Sequence, residues 1–324
     1  MQYEEKGRLI RGVGGLYEIA LEPGETPLSG QNVKSRAKGN FRHAGVTPLV
    51  GDLVRVSFDD VSLSKDETGR PVVSADGGGI VIEELLPRKN ALIRPPMANL
   101  DLLFITFAAA HPAPALETVD KLISIAEYNG IEPVIVIGKR DIDPDHAEEL
   151  LKTYTVAGFS AFALSAGNGD GVAELRAYLK DNLAGKTAAF AGASGVGKST
   201  LLNALFPSLA LQTGEISARI ERGKHTTRRV ELYAMEGGYI ADTPGFSMLD
   251  FVRFDFFGRD DVVGTMREFE PYIGACRYKK CTHTREEGCA ILEAVKSGEI
   301  AKSRHDSFVG MFDALKNKHE WSKK

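Results

Sequence analysis

Residues 187–206 read TAAFAGASGVGKSTLLNALF. Within them Gly192-Ala193-Ser194-Gly195-Val196-Gly197-Lys198-Ser199 matches the phosphate-loop pattern G-x-x-x-x-G-K-[ST]. TAAFAG before it reads as a strand, and STLLNALF after it, opening with Ser199 and Thr200, reads as a helix, which is the context the pattern requires. The glycines let the backbone fold around phosphate, so that N–H groups at a helix N-terminus point at the anion. Lys198 then reaches the β- and γ-phosphates, and the Ser199 hydroxyl ligates Mg²⁺. The sequence around this loop has the texture of a doubly wound α/β domain. LDLLFITFA, PVIVIG and AFALSA are continuous apolar runs typical of parallel strands covered on both faces, and LETVDKLISIAEYNG has helical spacing that ends at Gly130.

Some forty residues beyond the loop, YIADTPGF is an apolar strand ending at Asp242, with Gly245 three positions on. A carboxylate there holds Mg²⁺ through water, and the glycine lets its N–H meet the γ-phosphate. Between the two lies ISARIERGKHTTRR, polar and strongly basic. A threonine of the pair Thr226-Thr227, taken as Thr227, completes the Mg²⁺ and γ-phosphate shell and orders the segment in the triphosphate state; a plain surface loop is the competing reading. Base recognition has no candidate after Gly245. It lies upstream, where the strand PVIVIG ends at Gly138-Lys139-Arg140-Asp141. An Asp at the fourth position of such an element accepts two hydrogen bonds from guanine N1–H and the exocyclic amine, which adenine does not offer, and the Lys stem covers the base. Ser165-Ala166, after a further strand, fits the loop whose backbone N–H meets the guanine oxygen. The order base, base, phosphate, switch, switch is a rotation of the ordinary one.

The flanks differ from this centre. Residues 1–86 read as short strands separated by turns, a small OB-type β-barrel, with QNVKSRAKGNFRH as a basic loop around Phe41 suited to RNA or simply solvated. Residues 87–251 form the nucleotide domain. Residues 252–324 form a mainly helical third module that carries all three cysteines of the chain, in the pattern Cys276-x4-Cys281-x-His283-x5-Cys289. Three thiolates and one imidazole are a tetrahedral Zn²⁺ set with no open position, hence structural. Arg277, Lys279, Lys280 and Arg285 fringe it and can meet phosphate. His43, His111, His146, His305 and His319 have no partners at useful spacing and are read as ordinary surface or core residues.

The chain has 324 residues, and Lys+Arg 40 against Asp+Glu 44 leaves a net charge of -4, which excludes a cationic nucleic-acid coat. The longest strongly apolar run, Leu102 to Ala110, is about half of a membrane span, and MQYEEKGR lacks a signal peptide's apolar segment. A soluble, cytoplasmic protein with no membrane contact is expected.

The rotated motif order, the barrel, RPPMANLD, GKHTT, DTPGF and the cysteine cluster together resemble the circularly permuted ribosome-biogenesis GTPases of the RsgA (YjeQ) family over nearly the whole chain. The resemblance implies GTP hydrolysis stimulated by the small ribosomal subunit, rRNA contact, and a role late in that subunit's maturation, carried out by a monomer that binds GTP and GDP. Gly138 departs from the family, which has Asn there; that Asn bonds guanine N7 and ties the base loop to the phosphate loop. Weaker nucleotide binding with guanine preference kept by Asp141 is the expectation. Phe246 follows Gly245 where many GTPases carry a water-positioning Gln, so turnover alone is expected to be slow. His225 is the candidate for positioning the water, with Lys198 and Thr227 as the other catalytic residues. Two other readings stand beside this one: an RNA-binding assembly module whose nucleotide is structural, and an ATPase, should Asp141 not face the base.

Overall fold

The computed structural model describes residues 2–38, 41, 46–60, 63–65, 71–73, 79–92, 95–193, 195–207, 230–242 and 258–316. It divides into two compact units, one gathering Met1–Asp101, Leu183–Ala189 and Thr226–Gly245, the other the remaining segments.

The first unit starts with β1 (Gln2–Val13) and β2 (Leu16–Leu21), joined through Gly14 and Gly15, both at positive φ as a tight two-residue hairpin turn demands. Then come β3 (Asn32–Ala37), β4 (Leu53–Asp59), the short pair β5 (Leu63–Lys65) and β6 (Pro71–Val73), and β7 (Val81–Leu85). The order β1-β2-β3-β7-β4 closes because β4 also pairs with β1, from Gln2↔Asp59 to Arg8↔Leu53. Closure removes the sheet edges and encloses Leu9, Ile19, Val33, Val54, Val56 and Ile82. The expected basic loop is thereby corrected: Asn32–Ala37 is a barrel strand, with Val33 and Ser35 turned inward and Lys34 and Arg36 exposed. A small serine occupies an inward position, so the period of two was not visible as apolar alternation. The barrel leads into the hairpin of β8 (Ala91–Leu92) and β9 (Met97–Ala98). Arg88 donates to both oxygens of the fully buried Asp52, Nε to Oδ1 at 2.6 Å and Nη2 to Oδ2 at 2.8 Å, and so fixes this connection to the barrel.

In the second unit β10 (Leu102–Ala108), α1 (Leu116–Tyr128), β11 (Glu132–Gly138), α2 (Pro144–Val156), β12 (Ser160–Ala163) and α3 (Val172–Asn182) alternate, and the three strands are parallel in the order β10-β11-β12. Ala108 pairs with Gly138, so the strands end level, and ligands of such sheets bind outside their carboxyl ends. β13 (Thr187–Ala191) precedes α4 (Lys198–Leu205). Thr187–Ala189 belong to the first unit, where they run parallel to β15 (Gly238–Asp242); β15 is hairpinned with β14 (Glu231–Met235), and β14 pairs with β1 at Arg11↔Glu231. The second unit ends with two 3₁₀ segments, Arg259–Thr265 and Arg267–Tyr272, then α5 (Ala290–Ser297) and α6 (Lys302–Lys316). Among the described residues no helix is long and apolar enough to cross a membrane.

Candidate nucleotide site and cysteine cluster

The glycines of the phosphate loop are there for two different reasons. At Gly192, with φ +148, a Cβ would lie 2.0 Å from the Thr106 carbonyl oxygen, so no side chain fits. Gly195 (φ +80) and Gly197 (φ +100) have open space around them and instead need glycine's backbone freedom. Gly197 caps α4 with no side-chain bond, and Leu201 N–H is the donor to its carbonyl, which leaves the N–H groups of the first turn without helical acceptors. That turn presents Lys198, Ser199 and Thr200, the last two exposed. The Lys198 ammonium folds back over the loop, donating to the carbonyls of Gly192 at 2.5 Å and Ala193 at 2.8 Å, and burial pulls its pKa below the usual lysine value. A half-desolvated ammonium beside open helix N–H groups is a site for an anion.

The base loop is part of the same unit. Gly138 ends β11 buried, its carbonyl accepting from Ala109 N–H at 2.9 Å; a Cβ on it would sit 3.3 Å from the carbonyl oxygen of Val196 in the phosphate loop. Lys139 follows at φ +58 and donates through Nζ to the His111 carbonyl. Arg140 N–H bonds the Leu164 carbonyl at 3.1 Å, and its guanidinium lies 3.7 Å from Asp170, whose own carbonyl accepts from Ser165 N–H at 2.8 Å. Ser165 is buried, Ala166 half-buried, and the Asp141 carboxylate is exposed. The 138–141 loop, the 165–166 loop and the 192–200 loop are thus brought to one end of the parallel strands. Asp242 is the last residue of β15, in the first unit. Ser194, His225, Thr226, Thr227, Gly245 and Phe246 lie outside the described residues.

The three cysteines and His283 converge. Sγ of Cys276 and Cys289 are 3.8 Å apart, each 3.5 Å from His283 Nδ1, and all four ligand atoms, Cys281 included, lie within 4.8 Å of one another. A tetrahedral ion with bonds of about 2.3 Å to sulfur and about 2.0 Å to nitrogen has edges of about 3.8 and 3.5 Å, so the cluster fits a metal ion. Burial pushes the Cys281 thiol up to about 12 and raises Cys289, while it lowers His283, the direction that favours a neutral imidazole. A bound cation reverses the penalty on the thiolates.

Comparison with known proteins decides the family. The RsgA GTPase family model matches residues 85–252, more than half of the chain, and the RsgA N-terminal domain model matches residues 6–64. This chain belongs to the RsgA GTPase family. A relative from Caldanaerobacter subterraneus subsp. tengcongensis, named small ribosomal subunit biogenesis GTPase RsgA, is 38% identical over 317 residues, 97% of each chain. One of the same name from Moorella thermoacetica is 39% identical, covering 94% of this chain and 95% of the relative. Among solved structures, YjeQ from Thermotoga maritima matches with a TM-score of 0.75 at 31% identity, over 97% of this chain and 99% of that one. YloQ, described as a circularly permuted GTPase, matches with a TM-score of 0.74 at 28% identity, over 98% and 96%. The fold is therefore that of an RsgA protein: an N-terminal five-strand barrel, a circularly permuted GTPase centre and a C-terminal cysteine and histidine cluster.

Three residues of this RsgA chain escaped the sequence reading. Glu286 accepts from the backbone N–H groups of Thr282 (2.8 Å), Thr284 (3.1 Å) and Arg285 (3.1 Å) and from the Thr282 hydroxyl, which folds the ligand loop around one carboxylate. Burial opposes its charge, but these donors hold its pKa down at about 2. His305, read as an ordinary residue, donates through Nε2 to the His283 carbonyl at 2.8 Å and steadies a ligand held at φ +60. Arg304, beside it, is buried in an ion cluster with Asp120 and Glu268. The partners of His305 and Arg304 are distant in sequence, and no local pattern announces them; those of Glu286 lie within four residues of it.

Proposed function

We propose that this chain hydrolyses GTP to GDP and phosphate, slowly alone and faster on the small ribosomal subunit, and acts through rRNA contact late in that subunit's maturation. The observation that carries the proposal is the junction of Gly138 with Val196: the base loop abuts the phosphate loop, as a purine nucleotide spanning both requires. The names of the relatives, small ribosomal subunit biogenesis GTPase, support the partner. In this reading Asp141 selects guanine, Lys139 covers the ring, and the Ser165-Ala166 loop offers the Ala166 N–H to its oxygen, the Ser165 N–H being held by the Asp170 carbonyl. Residues 192–200 wrap the phosphates and Lys198 offsets charge that develops on them. Ser199, Thr227 and Asp242 would hold Mg²⁺, whose charge neutralises the β- and γ-phosphates. His225 orients the attacking water. Cys276, Cys281, His283 and Cys289 hold a structural Zn²⁺, and the exposed Lys34 and Arg36 of the barrel, with Arg277, Lys279, Lys280 and Arg285 around the cluster, meet rRNA phosphates. The test is turnover of GTP and of ATP with and without purified small subunits, large subunits serving as control. Stimulation confined to GTP with small subunits is expected, and His225→Ala should abolish it while still binding the subunit. Equal turnover of ATP, or no response to small subunits, overturns the proposal.

A further inference from the structure

The side chain of Arg8 leaves the barrel. Arg8 lies on β1 where that strand passes from its pairing with β4 to its pairing with β2, opposite Leu53 on one side and Ala20 on the other. Its Nη1 donates to the hydroxyl of Thr187 at 3.1 Å, and its guanidinium lies over the Tyr239 ring, 5.3 Å from the centroid, within cation–π range. Thr187 opens β13 and is fully buried; its N–H donates to Asp101 Oδ2 and its carbonyl accepts from Asp101 N–H, so the hydroxyl is the one group left to report on the barrel. Tyr239 sits in β15, directly paired with Thr187. One guanidinium therefore touches the two strands that run on, in chain order, into the phosphate loop at Gly192 and into Asp242. The β14–β15 hairpin, which ends at Asp242, is in turn paired with β1 at Arg11↔Glu231.

We propose that Arg8 is a positioning residue for stimulated hydrolysis: it sets β13 and β15 according to the state of the barrel, so that docking on the small subunit is felt at the phosphate loop and at Asp242. This rests on the reading of the chain as a subunit-stimulated GTPase. A planar cation that stacks on a ring while donating from its edge is a property of a guanidinium that neither an ammonium nor an aliphatic side chain supplies.

The experiment measures GTP turnover against small-subunit concentration for wild type, Arg8→Leu, Thr187→Val and the double variant, with melting temperature and GDP affinity as checks on folding. Arg8→Leu and Thr187→Val are expected to lower the ratio of stimulated to unstimulated turnover by about fivefold at saturating subunit, with the half-saturating concentration unchanged and the double variant no worse than Arg8→Leu. A structural or docking role gives a different pattern. An unchanged ratio in the single variants, or a raised half-saturating concentration with the same maximal ratio, overturns the inference. Should Arg8→Leu fail to fold, Thr187→Val, which removes one oxygen, decides alone. A wild type that subunits do not stimulate overturns the functional reading itself, and is seen before any variant is compared.

Discussion

Gly138 ends β11 against the phosphate loop. The residue sits at the end of β11 without positive φ, so nothing in its backbone demands glycine. A Cβ there meets the Val196 carbonyl oxygen at 3.3 Å and the Phe107 carbonyl oxygen at 3.6 Å, a tight fit that a shift of a few tenths of an ångström accommodates. An asparagine amide would then have a phosphate-loop carbonyl to donate to. Gly138→Asn is expected to tighten GDP by one net hydrogen bond, about 1 kcal/mol or roughly fivefold, in an equilibrium fluorescence titration. Weaker binding would mean that the loop gives way instead. The role proposed for Asp141 comes from its place in the motif, because a carboxylate is the group that accepts from both guanine donors. Glu286 was not legible, since a carboxylate that gathers backbone N–H groups has no preferred sequence spacing.

At the scale of elements, α6 is pinned to α1 by a single buried cation. Arg304 Nη1 reaches Asp120 Oδ1 at 2.5 Å and Nε reaches Glu268 Oε1 at 2.7 Å, with side-chain exposures of 1% for Arg304 and Asp120 and 5% for Glu268. Burial alone would lower the arginine's pKa, but Asp120 and Glu268 hold it above its ordinary value. The Thr265 hydroxyl donates to the Ser124 hydroxyl at 2.9 Å, a second tie from the 3₁₀ segment to α1. Arg304→Met leaves two carboxylates buried without a counter-charge and should cost about 3–5 kcal/mol. A fall in the urea midpoint, with faster amide exchange in α1 and α6, is the expected outcome; an unchanged midpoint would show that the cluster contributes only packing. Helix α1 was legible from its apolar spacing, whereas the cluster was not: Asp120, Glu268 and Arg304 are each ordinary surface-type residues until the fold brings them together. The barrel posed the opposite difficulty. Its strand β3 carries lysine and arginine outward and a serine inward, and so looked like a loop.

For the whole molecule, chain order and spatial order part company. A barrel strand near residue 8 and a hairpin near residue 235 belong to one compact unit assembled from three stretches of chain. No local pattern reveals that, although the rotated sequence of motifs already indicated a base loop preceding its phosphate loop. The loop proposed to select the base follows β11 and the phosphate loop follows β13, and the two come together where Gly138 faces the Val196 carbonyl. The central claim is that these loops hold one guanine nucleotide. It is tested most directly by competing GDP, ADP and xanthosine diphosphate for the wild type and Asp141→Asn. A carboxylate accepts from guanine N1–H and the exocyclic amine, while an amide can donate to the xanthine oxygen that replaces that amine. Wild type should prefer GDP to ADP, and Asp141→Asn should prefer xanthosine diphosphate to GDP. A variant that keeps the wild-type order of the three nucleotides would contradict the account.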